Sequence, residues 1–222
     1  HLYDHSARSF YDYLKSTTAH STLRIDGENQ HSAGRRDTWI AKQPLDLGWQ
    51  ESANEVRASG VYALGYGAGN RIAVVHRREI VFVRERCWIV FDTVEGADEH
   101  TIESRFQFAP GELRLADGTA CTRFDDANLL LRTMPTAPFT DIHIESGQEN
   151  PRGGWYSDSY GKIEPAPALV QSLRTRLPWR AATLLFPYVG TTPPTIALRF
   201  DGRRAAIQSP DFGDVSVTCS LP

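Results

Sequence analysis

No apolar run in this chain approaches the roughly 20 residues that a membrane-spanning helix requires, and the first residues lack the basic-then-apolar pattern of a secretory signal. The expectation is a chain without a membrane partner. There is no excess of positive charge either: 24 Lys and Arg stand against 27 Asp and Glu, a formal charge of −3, so no global basic field draws in nucleic acid. Cysteine is scarce. Cys87, Cys121 and Cys219 match neither a zinc ribbon nor a Cys-x-x-Cys redox pair, which favours buried thiols and leaves one disulfide plus one free thiol as the alternative. Also missing are the Gly-x-Gly-x-x-Gly turn, the P-loop, His-Glu-x-x-His and the Gly-x-Ser-x-Gly elbow. Nucleotide chemistry and these nucleophile and metalloprotease arrangements lose their usual signatures. Helical pattern is thin, confined to "ARSFYDYLKS" and a short helical phase in "ALVQSLRTRL", where strand remains open.

What fills the 222 residues is alternation punctuated by turns. "EIVFVR" and "CWIVFDTV" form a hairpin across a polar step. "TIESRFQFAPG" follows with Ile102, Phe106 and Phe108 at even positions, and "GELRLADGTACTRF" turns at Asp117-Gly118. "NLLLRTMP", "DIHIESG", "AATLLFPYVG", "TIALRFDG" and "DVSVTCSL" continue the series, with Asp201-Gly202 a further hairpin signal. About ten strands result, counted by a turn every 8–12 residues or so. Each must bury one face, so the expected fold is all-β: a large antiparallel β-sandwich of two packed sheets, supersandwich-like, in a single domain over 1–222. A closed barrel is the structural alternative.

The chemistry-bearing residues are fewer. His76 ends an apolar strand beside Arg77 and Arg78, where a hydrogen-bonded structural role is the expectation. His100 and His143 fall at exposed strand positions. His20 has small neighbours, Ala19, Ser21 and nearby threonines, and heads the beat Leu23, Ile25. A ring at the end of a sheet suits a metal ligand or a substrate-facing residue, yet no second ligand lies at a telling interval. Aromatics gather in two places: Tyr3, Phe10, Tyr11 and Tyr13 before His20, and Trp155, Tyr156 and Tyr160 in "SGQENPRGGWYSDSYGKIEPAPA". Gly153-Gly154 lets the backbone turn sharply and present Trp155 and Tyr156, and a long loop of this kind is a common place for function. Arg35-Arg36 and Arg203-Arg204 are sulfate-binding candidates for which surface solvation is the plainer role.

The stretch "YDYLKSTTAHSTLRIDGENQ" resembles a segment of heparinase II/III-like polysaccharide lyases, in which Ser/Thr-x-x-Ala-His-Asn-Thr leads into an apolar strand and Asp-Gly-x-x-Gln. Ser16, Ala19, His20, Thr22, Asp26, Gly27 and Gln30 fit it, and Ser21 stands where the family usually has Asn. "VVHRREIVFVRERCWIVFDTVEGADEHTIESRFQFAPG" is similar to the family's His-x-Arg hairpin, and "GGWYSDSYGKIEPAP" to its Gly-Trp-x-Ser-x-x-Tyr-Gly segment. The resemblance implies an N-terminal α/α toroid followed by β-sandwich sheets, and cleavage of uronate-containing glycans by β-elimination. In that chemistry a base takes the C5 proton, the carboxylate is neutralised and an acid protonates the leaving oxygen.

The family places most of that machinery in the toroid and in a His-x-His strand, both upstream of the matched region, so no catalytic residue is expected in this chain. The chain, which begins at His1 without an initiator Met, is expected to be the C-terminal sandwich of a longer, secreted or periplasmic lyase, with the toroid as its partner. His20 is implied as one ligand of a structural zinc whose other ligands would precede His1. Tyr3 is implied as a substrate contact, joining Trp155, Tyr156 and Tyr160. A non-catalytic carbohydrate-binding or structural β-sandwich is the competing expectation.

Overall fold

The computed structural model describes residues 8–30, 46–159, 161–210 and 213–221. In chain order it contains α1 (Arg8–Lys15), a 3-10 turn at Thr17–Ala19, β1 (Leu23–Ile25), β2 (Gly48–Glu51), β3 (Glu55–Tyr62), β4 (Val75–Val83), β5 (Cys87–Glu95), β6 (Glu99–Gln107), β7 (Glu112–Ala116) and β8 (Thr119–Arg123). β9 (Ala127–Pro135) and β10 (Asp141–Glu145) lead into the short pieces β11 (Gln148–Glu149), β12 (Arg152–Gly153), β13 (Trp155–Tyr156) and β14 (Glu164–Pro165). β15 (Ala168–Arg176), β16 (Trp179–Val189), β17 (Ala197–Phe200), β18 (Arg204–Gln208) and β19 (Val215–Thr218) complete the order. Among the described residues no helix is long and apolar enough to cross a membrane.

Three main sheets result, in the strand orders β2-β3-β4-β5-β16-β9-β8-β7, β1-β6-β15-β10 and β17-β18-β19. The eight-stranded sheet is open, with β2 and β7 at its edges, so the barrel alternative falls away. Turn chemistry explains the hairpins. Asp117 and Gly118 both take positive φ, 49° and 71°, as a tight two-residue turn between β7 and β8 demands. Asp201 Oδ1 accepts the backbone N–H groups of Arg203 (2.9 Å) and Arg204 (2.7 Å), fixing the β17–β18 turn.

The all-β sandwich is as expected; the number of layers is not. On β5, Ile89 and Phe91 pack with Leu198, Ala205, Ile207 and Val217 of the three-stranded sheet. Val94, of opposite parity, packs with Leu23, Ile25, Ile102 and Leu173 of the four-stranded sheet. β16 divides in the same way, Ala182 and Leu184 to one side, Trp179 and Ala181 to the other. The central sheet is thus buried on both faces over its middle strands. This accounts for near-continuous apolar runs such as "IVF" over 89–91 and "AATLLF", which strict one-sided burial would not produce.

"ALVQSLRTRL" proves to be strand β15, paired to β6 on one side and β10 on the other, which overrides its weak helical phase. Cys87, Cys121 and Cys219 are buried free thiols.

Candidate functional site

The four-stranded sheet turns Ile102, Ser104 and Phe106 of β6 inward, and their neighbours Glu103 and Arg105 therefore face the other way. Cross-strand register sets Arg24 opposite Glu103, and Val170, opposite Arg105, pairs in turn with His143. A ladder of charge follows. Arg24 donates to Glu103 (3.1 Å), Arg105 donates to Glu103 (2.8 Å) and to Glu145, and His143 contacts Glu145 at 3.6 Å and Asp141 at 2.7 Å. Arg105 is 1% exposed. Burial alone would lower its pKa, but Glu145 and Glu103 outweigh that and raise it, so the guanidinium keeps its charge. Its neighbours hold Glu103 down in turn: burial pushes the Glu103 pKa up, and Arg105 and Arg24 more than reverse it.

Over this ladder lies an aromatic cover made by two segments distant in sequence. Tyr13 of α1 is buried, and its hydroxyl accepts the Trp155 backbone N–H at 3.4 Å. Phe10 meets Trp155 edge-on, with centroids 5.0 Å apart, and the Arg152 guanidinium sits 3.6 Å over the Phe10 ring. Trp155 Nε1 donates to the Gln148 carbonyl at 2.8 Å. The loop reaches this position because Gly154 has φ of 69° and approaches the Ser146 Cα so closely that an added Cβ would lie 2.5 Å from it. A side chain on Gly153 would strike the Glu145 carboxylate. Beside the cover, Tyr156, Asp158, Gly161, Lys162, Ile163 and Glu164 line an open cleft of 530 Å³.

Tyr156 is 39% exposed, whereas Trp155 is half-buried by its contact with Phe10. Tyr3 and Tyr160 lie outside the described residues, as do Arg35 and Arg36. Arg203 and Arg204 are exposed hairpin residues. His20 caps the 3-10 turn, its ring exposed and without a hydrogen-bond partner among the described residues, while its backbone carbonyl accepts the Thr22 N–H at 2.9 Å. The rest of its motif is occupied structurally. Ser21 Oγ accepts the Gln107 N–H (3.0 Å), Asp26 accepts from the Thr101 N–H (2.8 Å) and His100 (2.7 Å), and Gln30 bonds Thr17 Oγ1 (2.8 Å) and the Tyr66 hydroxyl (3.2 Å). No group of three or more His, Cys, Asp and Glu side chains able to hold a metal occurs among the described residues. They do not fit a zinc site by themselves.

A second polar cluster lies between the layers and was visible in the sequence only as His76 with its two arginines. His76 Nε2 donates to Asp92 (2.7 Å), and Arg78 forks onto both Asp92 oxygens (2.7 and 2.9 Å) while also reaching the Ser21 carbonyl. Burial would raise the Asp92 pKa; Arg78 and His76 hold it instead far below the usual carboxylate range. Beside it, Gln30, Tyr62, His76, Arg78 and Ile80 line a cleft of 410 Å³. Burial pushes Tyr62 up to about 12, so its hydroxyl stays protonated.

Fold and site together define an all-β, multilayered sandwich with an aromatic and charged cover on one outer sheet. The chain belongs to the family described as heparinase II/III-like, C-terminal, whose model matches residues 2–197. Its backbone is similar to the heparan sulfate lyase HepC from Pedobacter heparinus, with a TM-score of 0.77 at 17% identity, over 100% of this chain and 33% of that one. A structure titled heparinase III-BT4657 gene product gives 0.76 at 18%, over 99% and 33%, and one titled heparinase III gives 0.72 at 17%, over 99% and 32%. This chain thus spans about a third of the length of those structures. No curated protein matches it.

Proposed function

We propose that this chain is the C-terminal sandwich of a polysaccharide lyase that cleaves uronate-containing glycans by β-elimination, supporting a helical toroid and lining one wall of the glycan cleft. The family match over residues 2–197 carries this reading. HepC is a heparan sulfate lyase, and the match to only a third of its chain leaves room for a toroid. In this reading Tyr3, Trp155, Tyr156 and Tyr160 contact sugar rings, and His20 lends one ligand to a structural zinc completed from outside the described residues.

The test is to express the whole reading frame that contains this chain and to follow the ultraviolet absorbance of unsaturated uronate with heparan sulfate, hyaluronan and alginate. Activity is expected from the whole frame and none from this chain alone. In the active protein Tyr156→Ala should raise KM about tenfold and leave kcat nearly unchanged, because a stacking contact binds ground and transition states alike. Absence of an upstream helical domain, or a whole frame without lyase activity, would sink the lyase reading in favour of a non-catalytic glycan-binding module.

A further inference from the structure

The far end of the eight-stranded sheet, on the face that elsewhere packs the three-stranded layer, holds a cleft with a different chemistry. Register places Arg114 opposite Cys121, Cys121 opposite Leu130, Glu112 opposite Arg123 and Thr119 opposite Arg132. Residues paired this way share a face. The three arginines and the segment around Pro193, Pro194 and Ile196 enclose a cleft of 410 Å³, within the roughly 300–1,000 Å³ of small-ligand sites. Its base is apolar, made by Leu130, Cys121 and Ile196, and its rim is cationic.

The positive charge is incompletely answered. Arg114 is held by Glu112, and among the described residues the Arg123 guanidinium has one hydrogen bond, to the Thr191 carbonyl at 3.4 Å, and shares the field of Glu112 opposite it. Arg132 is half-buried and has no hydrogen-bond or ion-pair partner among the described residues. Asp117 is the one carboxylate in the lining. In a chain whose formal charge is −3, three guanidiniums gathered around an apolar base are a local exception that a sulfate or carboxylate would satisfy by accepting paired N–H groups.

We infer that this cleft binds an anionic sugar unit of a glycan, its ring on the Leu130–Ile196 base and its sulfate or carboxylate on Arg123 and Arg132. The glycan nature of the ligand rests on the proposed function; the site itself is separate from the aromatic cover and performs no chemistry. It would hold the polymer at a second point, and two-point attachment raises effective concentration at the first.

The experiment is equilibrium binding to this chain of three short oligosaccharides of equal length: sulfated heparan, unsulfated hyaluronan and a neutral glucan. Hydrogen exchange then locates the protected amides. Binding of an anionic sugar, with protection in residues 112–132 and 193–196, is expected; binding of sulfated heparan without hyaluronan identifies sulfate as the recognised group, and binding of both identifies the carboxylate. Arg123→Ala and Arg132→Ala should each weaken it about tenfold, as loss of a charge-assisted pair does, and added salt should weaken it further. Arg132→Lys, which keeps the charge without the fork, controls for folding and should fall between wild type and Arg132→Ala. Equal binding of the neutral glucan, protection confined to residues 146–165, or no anionic binding would overturn the inference. Because the readout is binding by this chain, a failed lyase assay leaves it standing.

Discussion

Asp92 is 2% exposed and lies between a guanidinium and an imidazole, so its charge is compensated by geometry rather than by water. Removing the charge strands Arg78 and His76 in the interior, and breaking a buried pair in this way costs about 3–5 kcal/mol. Asp92→Asn should therefore lose about that much in urea unfolding at neutral pH. The sign of the pH effect follows from the lowered pKa. Asp92 stabilises the fold fully above the unfolded carboxylate value of about 3.9, and that contribution disappears as pH falls below it toward the depressed folded value. Wild type should lose stability steeply through this acid range. The Asp92→Asn variant should give a flatter profile, and equal slopes for the two proteins would show that Asp92 is not the titrating group.

At the scale of elements, the Gly-rich loop is held by one backbone conformation. Gly154→Ala forces a side chain into φ of 69° and against the Ser146 backbone, a strain of about 1–3 kcal/mol that the loop can relieve only by lifting off Tyr13. The variant should be cut faster by protease between Glu145 and Pro165 while the sheets keep their circular dichroism. That the chain turns at these glycines was legible in the sequence, because two glycines before a tryptophan announce a turn; that Trp155 would be half-buried against Phe10 was not. The partner of the loop was not, since Tyr13 of α1 lies 142 residues before Trp155 and no local pattern links Phe10 to that ring. Hairpins closed by Asp-Gly were equally plain, whereas β3, "EVRASGVY", has only partly buried residues and no sharp alternation to betray it. β15 was ambiguous for the opposite reason. A strand between two neighbours, buried from Ala168 to Gln171, loses the period of two that would separate it from a helix. His20 stood out by its small neighbours and gained a role only through resemblance to a family motif, while Arg105, Glu103 and Glu145 are joined by sheet register that composition does not encode.

For the whole molecule, the consequence of three layers is that two cores depend on one sheet. β5 and β16 form the ladder between them, and the same strands feed Ile89, Phe91 and Leu184 to one core and Val94 and Trp179 to the other. Losing either outer sheet would bare a full row of these side chains, each worth about 1.5–3 kcal/mol when buried, so neither core has an independent stable state. The cysteines report on this directly. Cys87 and Cys219 lie in the core beneath the three-stranded sheet, and burial pushes both thiols up to about 11, so access and thiolate formation are suppressed together. In the native protein neither should react with a disulfide reagent near neutral pH. Across a urea titration, labelling of Cys87 and Cys219 should rise together and coincide with loss of far-ultraviolet circular dichroism, the mark of one cooperative unit. Labelling of Cys219 at lower urea than Cys87 would instead make the β17–β19 layer a separately unfolding part.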